Sequence, residues 1–144
     1  MKKLASLFTA TVAIVLMILA PVASADKAKA AGTRIVIQVN DDDSKKWHGI
    51  LANVHNIQVE LGKDKVAIAV VAIGPGLDML MADSLAANGV QDAMADGVEF
   101  IACGNTMSAR KIDRKDLIDG IGYSRAGYVE IVRRQQQGWI YLRP

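Results

Sequence analysis

The chain has 144 residues, 51% of them hydrophobic and only 5% aromatic, with 17 Lys+Arg against 15 Asp+Glu and a single cysteine. Lys2 and Lys3 account for the whole positive excess, so the rest of the chain is neutral and carries neither a nucleic-acid footprint nor a polybasic membrane patch. One cysteine excludes an internal disulfide and an intramolecular redox pair, while a domain of about 110 residues can bury a core without disulfides or metal.

The first element is a leader. Lys2 and Lys3 precede an apolar stretch, Leu4 to Leu19, broken only by Ser6, Thr9 and Thr11. Pro21 follows, then Ala23-Ser24-Ala25, the small-x-small pattern that signal peptidase reads. A secretory signal peptide over 1–25 is expected, and with it a periplasmic or otherwise exported protein without a stable membrane anchor. The rival reading, an uncleaved anchor, needs about 20 apolar residues, more than this stretch supplies. Residues 26–33, "DKAKAAGT", read as a flexible linker, and 34–144 as one domain.

Arg34 to Val39, "RIVIQV", is a β-branched run and predicts a buried strand. Asn40-Asp41-Asp42-Asp43-Ser44 is crowded with helix N-cap residues. Trp47, Ile50, Leu51, Val54, Gln58 and Leu61 then recur at helical steps, and Gly62 is the natural stop. Lys65 to Ile73, "KVAIAVVAI", predicts a second strand ending in Gly74-Pro75-Gly76, with a short helix over Leu77 to Met81. A further helix is expected over Ala86 to Ala95, closed by Gly97. Val98 to Ala102 predicts the third strand, which runs into Cys103-Gly104-Asn105-Thr106. Helical turns follow at Thr106 to Lys111 and after Asp113. Ala126 to Gln137 predicts a helix with Val129, Ile131 and Val132 inward and Glu130, Arg133, Arg134 and Gln136 outward. Trp139 to Leu142 is the expected last strand.

Strand–helix alternation at this spacing demands crossovers, hence an α/β fold with a mostly parallel sheet and helices on both faces. Ligands in such sheets bind outside the carboxyl ends of the strands. Three turns converge there: Asn40-Asp41-Asp42, Gly74-Pro75-Gly76 and Cys103-Gly104-Asn105-Thr106. The candidate ligand-binding residues are therefore Asn40, Gly74, Gly76, Gly104, Asn105 and Thr106, with Cys103 as the candidate catalytic residue.

A cysteine at a strand end, where backbone N–H groups converge, is a candidate thiolate nucleophile or sulfur carrier. Free cysteine is more often simply a small buried hydrophobe, since it is among the residues most often fully buried. Both readings stand at this stage. His48 and His55 lie seven residues apart, about 10 Å along a helix, too far to grip one metal together. The acidic run at Asp41 to Asp43 is explained by helix capping. Gly74-Pro75-Gly76 lacks the lysine and spacing of a P-loop. No metal and no cofactor is expected.

The segments "AIGPGLDML", "VQDAMADGVEFIACGNTM" and "GYVEIVRRQQQGWIYLRP" resemble exported members of the DsrE/DsrF-like (YchN-like) family, over about residues 33–144. The resemblance implies a three-layer α/β/α sandwich with a mainly parallel sheet, and homo-oligomers such as trimers or hexamers. It also implies a link to sulfur-relay proteins, some of which carry sulfur as a cysteine persulfide on a position that Cys103 matches. Partners would then be a sulfur donor or acceptor. Where the characterised relay proteins are cytoplasmic, this chain carries an export signal. The alternative is a non-enzymatic oligomeric module that binds a small ligand or partner at the strand ends, with Cys103 as packing.

Overall fold

The computed structural model describes residues 32–144; the leader and residues 26–31 of the linker lie outside them. The first strand, β1, spans Thr33–Val39. Its alternation sorts the molecule into two sides. Ile35, Ile37 and Val39 enter one apolar cluster, and Val36 enters the other. Helix α1, Ser44–Leu61, follows. Asp43 caps it by accepting from the N–H groups of Lys45 and Lys46, and Gly62 ends it at φ 88°. The residues it buries are Trp47, Ile50, Val54 and Gln58. The polar member of that stripe is satisfied, because Gln58 donates to the Asp96 carbonyl at 3.0 Å, as a buried amide must.

Strand β2, Val66–Ala72, pairs with β1 in parallel over all seven residues. A 3₁₀ helix, Gly74–Leu80, starts at the glycine itself, earlier than the expected Leu77. Helix α2 spans Ala87–Ala95 and β3 spans Glu99–Cys103. Helix α3, Gly104–Arg110, starts immediately after Cys103, two residues before the expected turn. A 3₁₀ turn at Arg114–Asp116 carries a capping box between Asp113 and Asp116. Strand β4, Gly122–Ser124, was not foreseen from the sequence. Three residues with one exposed tyrosine offer no hydrophobic period to read, and only parallel pairing with the end of β3 makes them a strand. Helix α4, Gly127–Gln136, leads to β5, Ile140–Leu142.

The five strands are all parallel, in the order β4-β3-β2-β1-β5. Progression from β1 to β4 runs one way across the sheet, and right-handed crossovers keep α1, α2 and α3 on one face. The last crossover reverses direction, so α4 lies on the other face. The result is a three-layer α/β/α sandwich. Larger buried side chains, such as Phe100 and Leu77, fill the layer under α1 and α2. The layer under α4 is smaller and holds Val36, Val71, Ile73, Ile101, Cys103 and Ile131. No described helix is long and apolar enough to cross a membrane.

Helix α4 departs from its expected facing. Val129 and Val132 are exposed, at 45% and 51%. The inward stripe is Gly127, Ile131 and Arg134. Arg134, expected outside, keeps only 12% of its side chain exposed. Its guanidinium stacks 4.4 Å over Trp139 and pairs with Glu130 and Glu99, both at 2.8 Å. The rotation has a steric cause. Gly127 must face the sheet for the helix to approach it, and residues at i+4 and i+7 then follow onto the same side.

Candidate functional site

Cys103 is the last residue of β3 and the residue that precedes α3. Its backbone is extended, φ −76° and ψ 113°, so the side chain keeps the orientation of the strand and points to the α4 layer. Gly127, the first residue of α4, donates its N–H to Cys103 Sγ at 3.2 Å. Cys103 as a whole is 4% exposed. Burial pushes its pKa up, but the Thr106 hydroxyl and the N–H groups of Gly127, Thr106 and Asn105 pull it down, and the balance is below the ordinary thiol value. The direction agrees with the placement. The N-terminus of a ten-residue helix presents positive potential and free N–H groups to the sulfur, which favours thiolate over thiol.

Thr106 is set for this role by the turn after β2. Gly74 donates its N–H to Thr106 Oγ1 at 2.9 Å. A hydroxyl that accepts there has its one proton left for Sγ. The 3₁₀ turn thus helps to set the thiol, although it lies 32 residues away in sequence.

The sulfur lies at an open cleft of about 790 Å³. Ile73, Gly74, Pro75 and Asp78 form one wall, and Asn105, Thr106, Ala109 and Arg110 of α3 another. Ala126, Gly127, Tyr128 and Val129 at the start of α4 form the third. Arg110 bridges the first two walls, pairing with Asp78 at 2.6 Å and reaching the Gly74 carbonyl at 3.4 Å.

Of the residues expected here, Cys103, Gly74, Asn105 and Thr106 line the cleft. The other three sit beside it. A Cβ on Gly76 would collide with the Val39 carbonyl, and one on Gly104 with the ring of Tyr123. Gly76 therefore serves close packing against the end of β1, and Gly104 against Tyr123 of β4. Asn40 acts at one remove. It donates to the Tyr128 hydroxyl at 3.3 Å and contacts the buried Gln38 amide, which accepts from Tyr141 at 2.6 Å. This network holds Tyr128 at the cleft rim. Asp41 pairs with Lys46 at 3.2 Å, and Asp43 caps α1; the acidic run does not line the cleft. His48 contacts the Ser44 carbonyl within its own helix, and no group of metal-ligating residues forms among the described residues.

The α4 wall escaped the sequence reading. Ala126 to Val129 follow a strand that was itself invisible, so nothing local placed them at the end of β3. The one available signal was the Ala126-Gly127 pair at a helix start, small residues where the chain approaches something closely.

The family model for the DsrE/DsrF-like family matches residues 49–144. No curated protein matches the chain. Among solved structures it is similar to MTH1491 of Methanobacterium thermoautotrophicum, a protein of unknown function, with 37% identity and a TM-score of 0.75. That match covers 78% of this chain and 99% of the other. BT1422 of Bacteroides thetaiotaomicron, a conserved protein of unknown function, is 14% identical, with a TM-score of 0.65 over 86% and 100% of the two chains. The ychN protein of E. coli is 16% identical, with a TM-score of 0.64 over 78% and 99%. The last two share the fold.

Proposed function

The chain belongs to the DsrE/DsrF-like family, and on that premise we propose that it carries sulfur as a persulfide on Cys103. One observation carries the reading. The only thiol of the chain lies in a cleft, below its ordinary pKa, under the N–H of Gly127. The thiolate attacks a sulfane sulfur. A bond forms from Sγ to that sulfur, the donor's S–S bond breaks, and the donor's remaining sulfur leaves with the electron pair. Thr106 and the neighbouring N–H groups then stabilise the persulfide anion, and an acceptor thiolate reverses the step. The test is intact-mass spectrometry after treatment with a sulfane donor. Wild type gains one sulfur at Cys103 and Cys103→Ser gains none. A wild type that gains nothing, or a serine variant that gains the same mass, overturns the reading.

The burial of Cys103 within the α4 layer favours a second reading, a binding module in which the thiol only packs. Slow labelling of the native thiol with fast labelling after unfolding would select it, as would a ligand-induced stability shift that survives Cys103→Ala.

Two further features belong to the proposal. The leader over 1–25 directs export, checked by N-terminal sequencing of the secreted protein, with Asp26 expected first. The exposed apolar rim of α4, Tyr128, Val129 and Val132, serves assembly into a homo-oligomer beside the cleft.

A further inference from the structure

Resting on the sulfur-carrier reading, we propose that the cleft takes uncharged sulfane sulfur, such as cyclo-octasulfur, and discriminates against sulfur oxyanions such as thiosulfate. Among the residues that line it, only Asp78 and Arg110 are charged. They neutralise each other at 2.6 Å, and Arg110 also reaches the Gly74 carbonyl. A site for a dianion presents a free guanidinium fork to the oxygens; here the fork is engaged and its charge cancelled. The remaining walls are largely apolar, with Ile73, Pro75, Ala109 and Val129 among them. An apolar ring gains from entering such a cleft, whereas a sulfonate loses hydration there without a compensating cation.

The chemistry of the neutral donor suits a chain with one thiol. Attack of the Cys103 thiolate on cyclo-octasulfur forms one S–S bond to a ring sulfur and breaks one ring S–S bond. The electron pair moves to the far end of the opened chain, which becomes a terminal sulfide anion still attached to the protein. No oxidant, second cysteine or separate leaving group is needed. With thiosulfate the same attack must expel sulfite, a dianion, through a cleft whose one cationic side chain is already paired.

The experiment measures the rate of sulfur loading on Cys103 with cyclo-octasulfur and with thiosulfate by mass spectrometry. Each rate is divided by that of N-acetylcysteine with the same donor, which removes the donors' intrinsic reactivities. Wild type favours cyclo-octasulfur on this scale. Asp78→Asn frees the Arg110 charge and raises the thiosulfate-to-octasulfur ratio about three- to fivefold at low salt, the effect of one screened charge a few ångströms from the substrate. The rise shrinks near 1 M salt, where the screening length is about 3 Å. Arg110→Gln lowers the ratio, because Asp78 is then left alone, and the double variant returns it near the wild-type value. A normalised wild-type preference for thiosulfate, or a ratio indifferent to Asp78→Asn, overturns this selectivity and leaves the persulfide reading in place. Failure of both donors to load Cys103 overturns the persulfide reading, and the selectivity with it.

Discussion

The N–H of Gly127 points at Cys103 Sγ from 3.2 Å, and only glycine permits that approach. A Cβ at position 127 would lie 2.7 Å from Ile73 Cγ1 and 3.1 Å from Cys103 Cβ. The start of α4 is thus seated directly on the end of β3, and the seat is what delivers the hydrogen bond.

Gly127→Ala is expected to push α4 off the sheet. Overpacking of this kind costs about 1–3 kcal/mol. Denaturant unfolding reads the loss, and thiol titration of the same protein reads a higher Cys103 pKa, because the displaced helix withdraws its N–H. A variant as stable as wild type with an unchanged thiol titration would show that the seat does not control the sulfur.

Thr106→Val keeps the shape and removes the hydroxyl that lowers the thiol pKa. The Cys103 pKa rises, and the pH at which alkylation reaches half its maximal rate moves up with it. The Gly74 N–H also loses its acceptor, so a stability loss of about 1–3 kcal/mol accompanies the shift. Thr106→Ser retains the hydroxyl and restores most of the pH profile.

The lowered thiol pKa links stability to pH. A group whose folded pKa lies below its unfolded value binds fewer protons when folded, so stability rises with pH between the two values. The contribution is full above the unfolded thiol pKa and is lost as pH falls through the folded value. Wild type minus Cys103→Ser, measured by urea unfolding across that window, should therefore grow with pH. A flat or falling difference contradicts the hydrogen-bonded thiolate.

Arg134→Met tests the rotated facing of α4. The variant loses the stacking on Trp139 and leaves Glu130, which is half-buried, without its cation. Destabilisation of about 1–3 kcal/mol is expected, against less than about 0.5 kcal/mol for the neighbouring exposed Arg133→Met. Equal effects at the two positions would place Arg134 in solvent.

Val132→Glu, on the exposed side of the same helix, should leave the folded protomer within about 0.5 kcal/mol of wild type. If the α4 rim is an assembly surface, light scattering finds a smaller species. An unchanged particle mass removes α4 from the interface.

Much of the fold was legible because its main strands and α1 carry strong local periods. "RIVIQV" and "KVAIAVVAI" are near-continuous apolar runs of the kind that parallel sheets bury on both faces. Trp47, Ile50 and Val54 mark α1 by spacing alone. The same rules failed on α4, where Val129 and Val132 looked internal and Arg134 external. Hydrophobicity assigns a helical stripe only when the sheet beneath has no stronger demand, and here the approach of Gly127 to Ile73 and Cys103 set the rotation. Strand β4 was illegible for a different reason: Gly122-Tyr123-Ser124 becomes a strand only by pairing with Ile101 to Cys103.

The site divides along the same line. The meeting of Cys103, Gly74, Asn105 and Thr106 at one sheet edge was legible in the residue pattern, because parallel strands end side by side and their turns share that edge. Arg110, seven residues after Cys103, was expected to add positive potential near the thiol, and it does line the cleft; its pairing with Asp78 and the approach of Gly127 had no local signal. Those contacts span 24 to 36 residues of chain. The Gly127 contact exists because the last crossover reverses direction and lays the start of α4 over the ends of β2 and β3, whereas the Arg110 contacts join α3 to the 3₁₀ turn after β2. The hydrogen-bond environment of the sulfur comes from α3 and α4 together, through Thr106, Asn105 and Gly127, and that meeting of two helix starts was visible only in the tertiary structure, because residues 24 apart in sequence have no local signal that joins them.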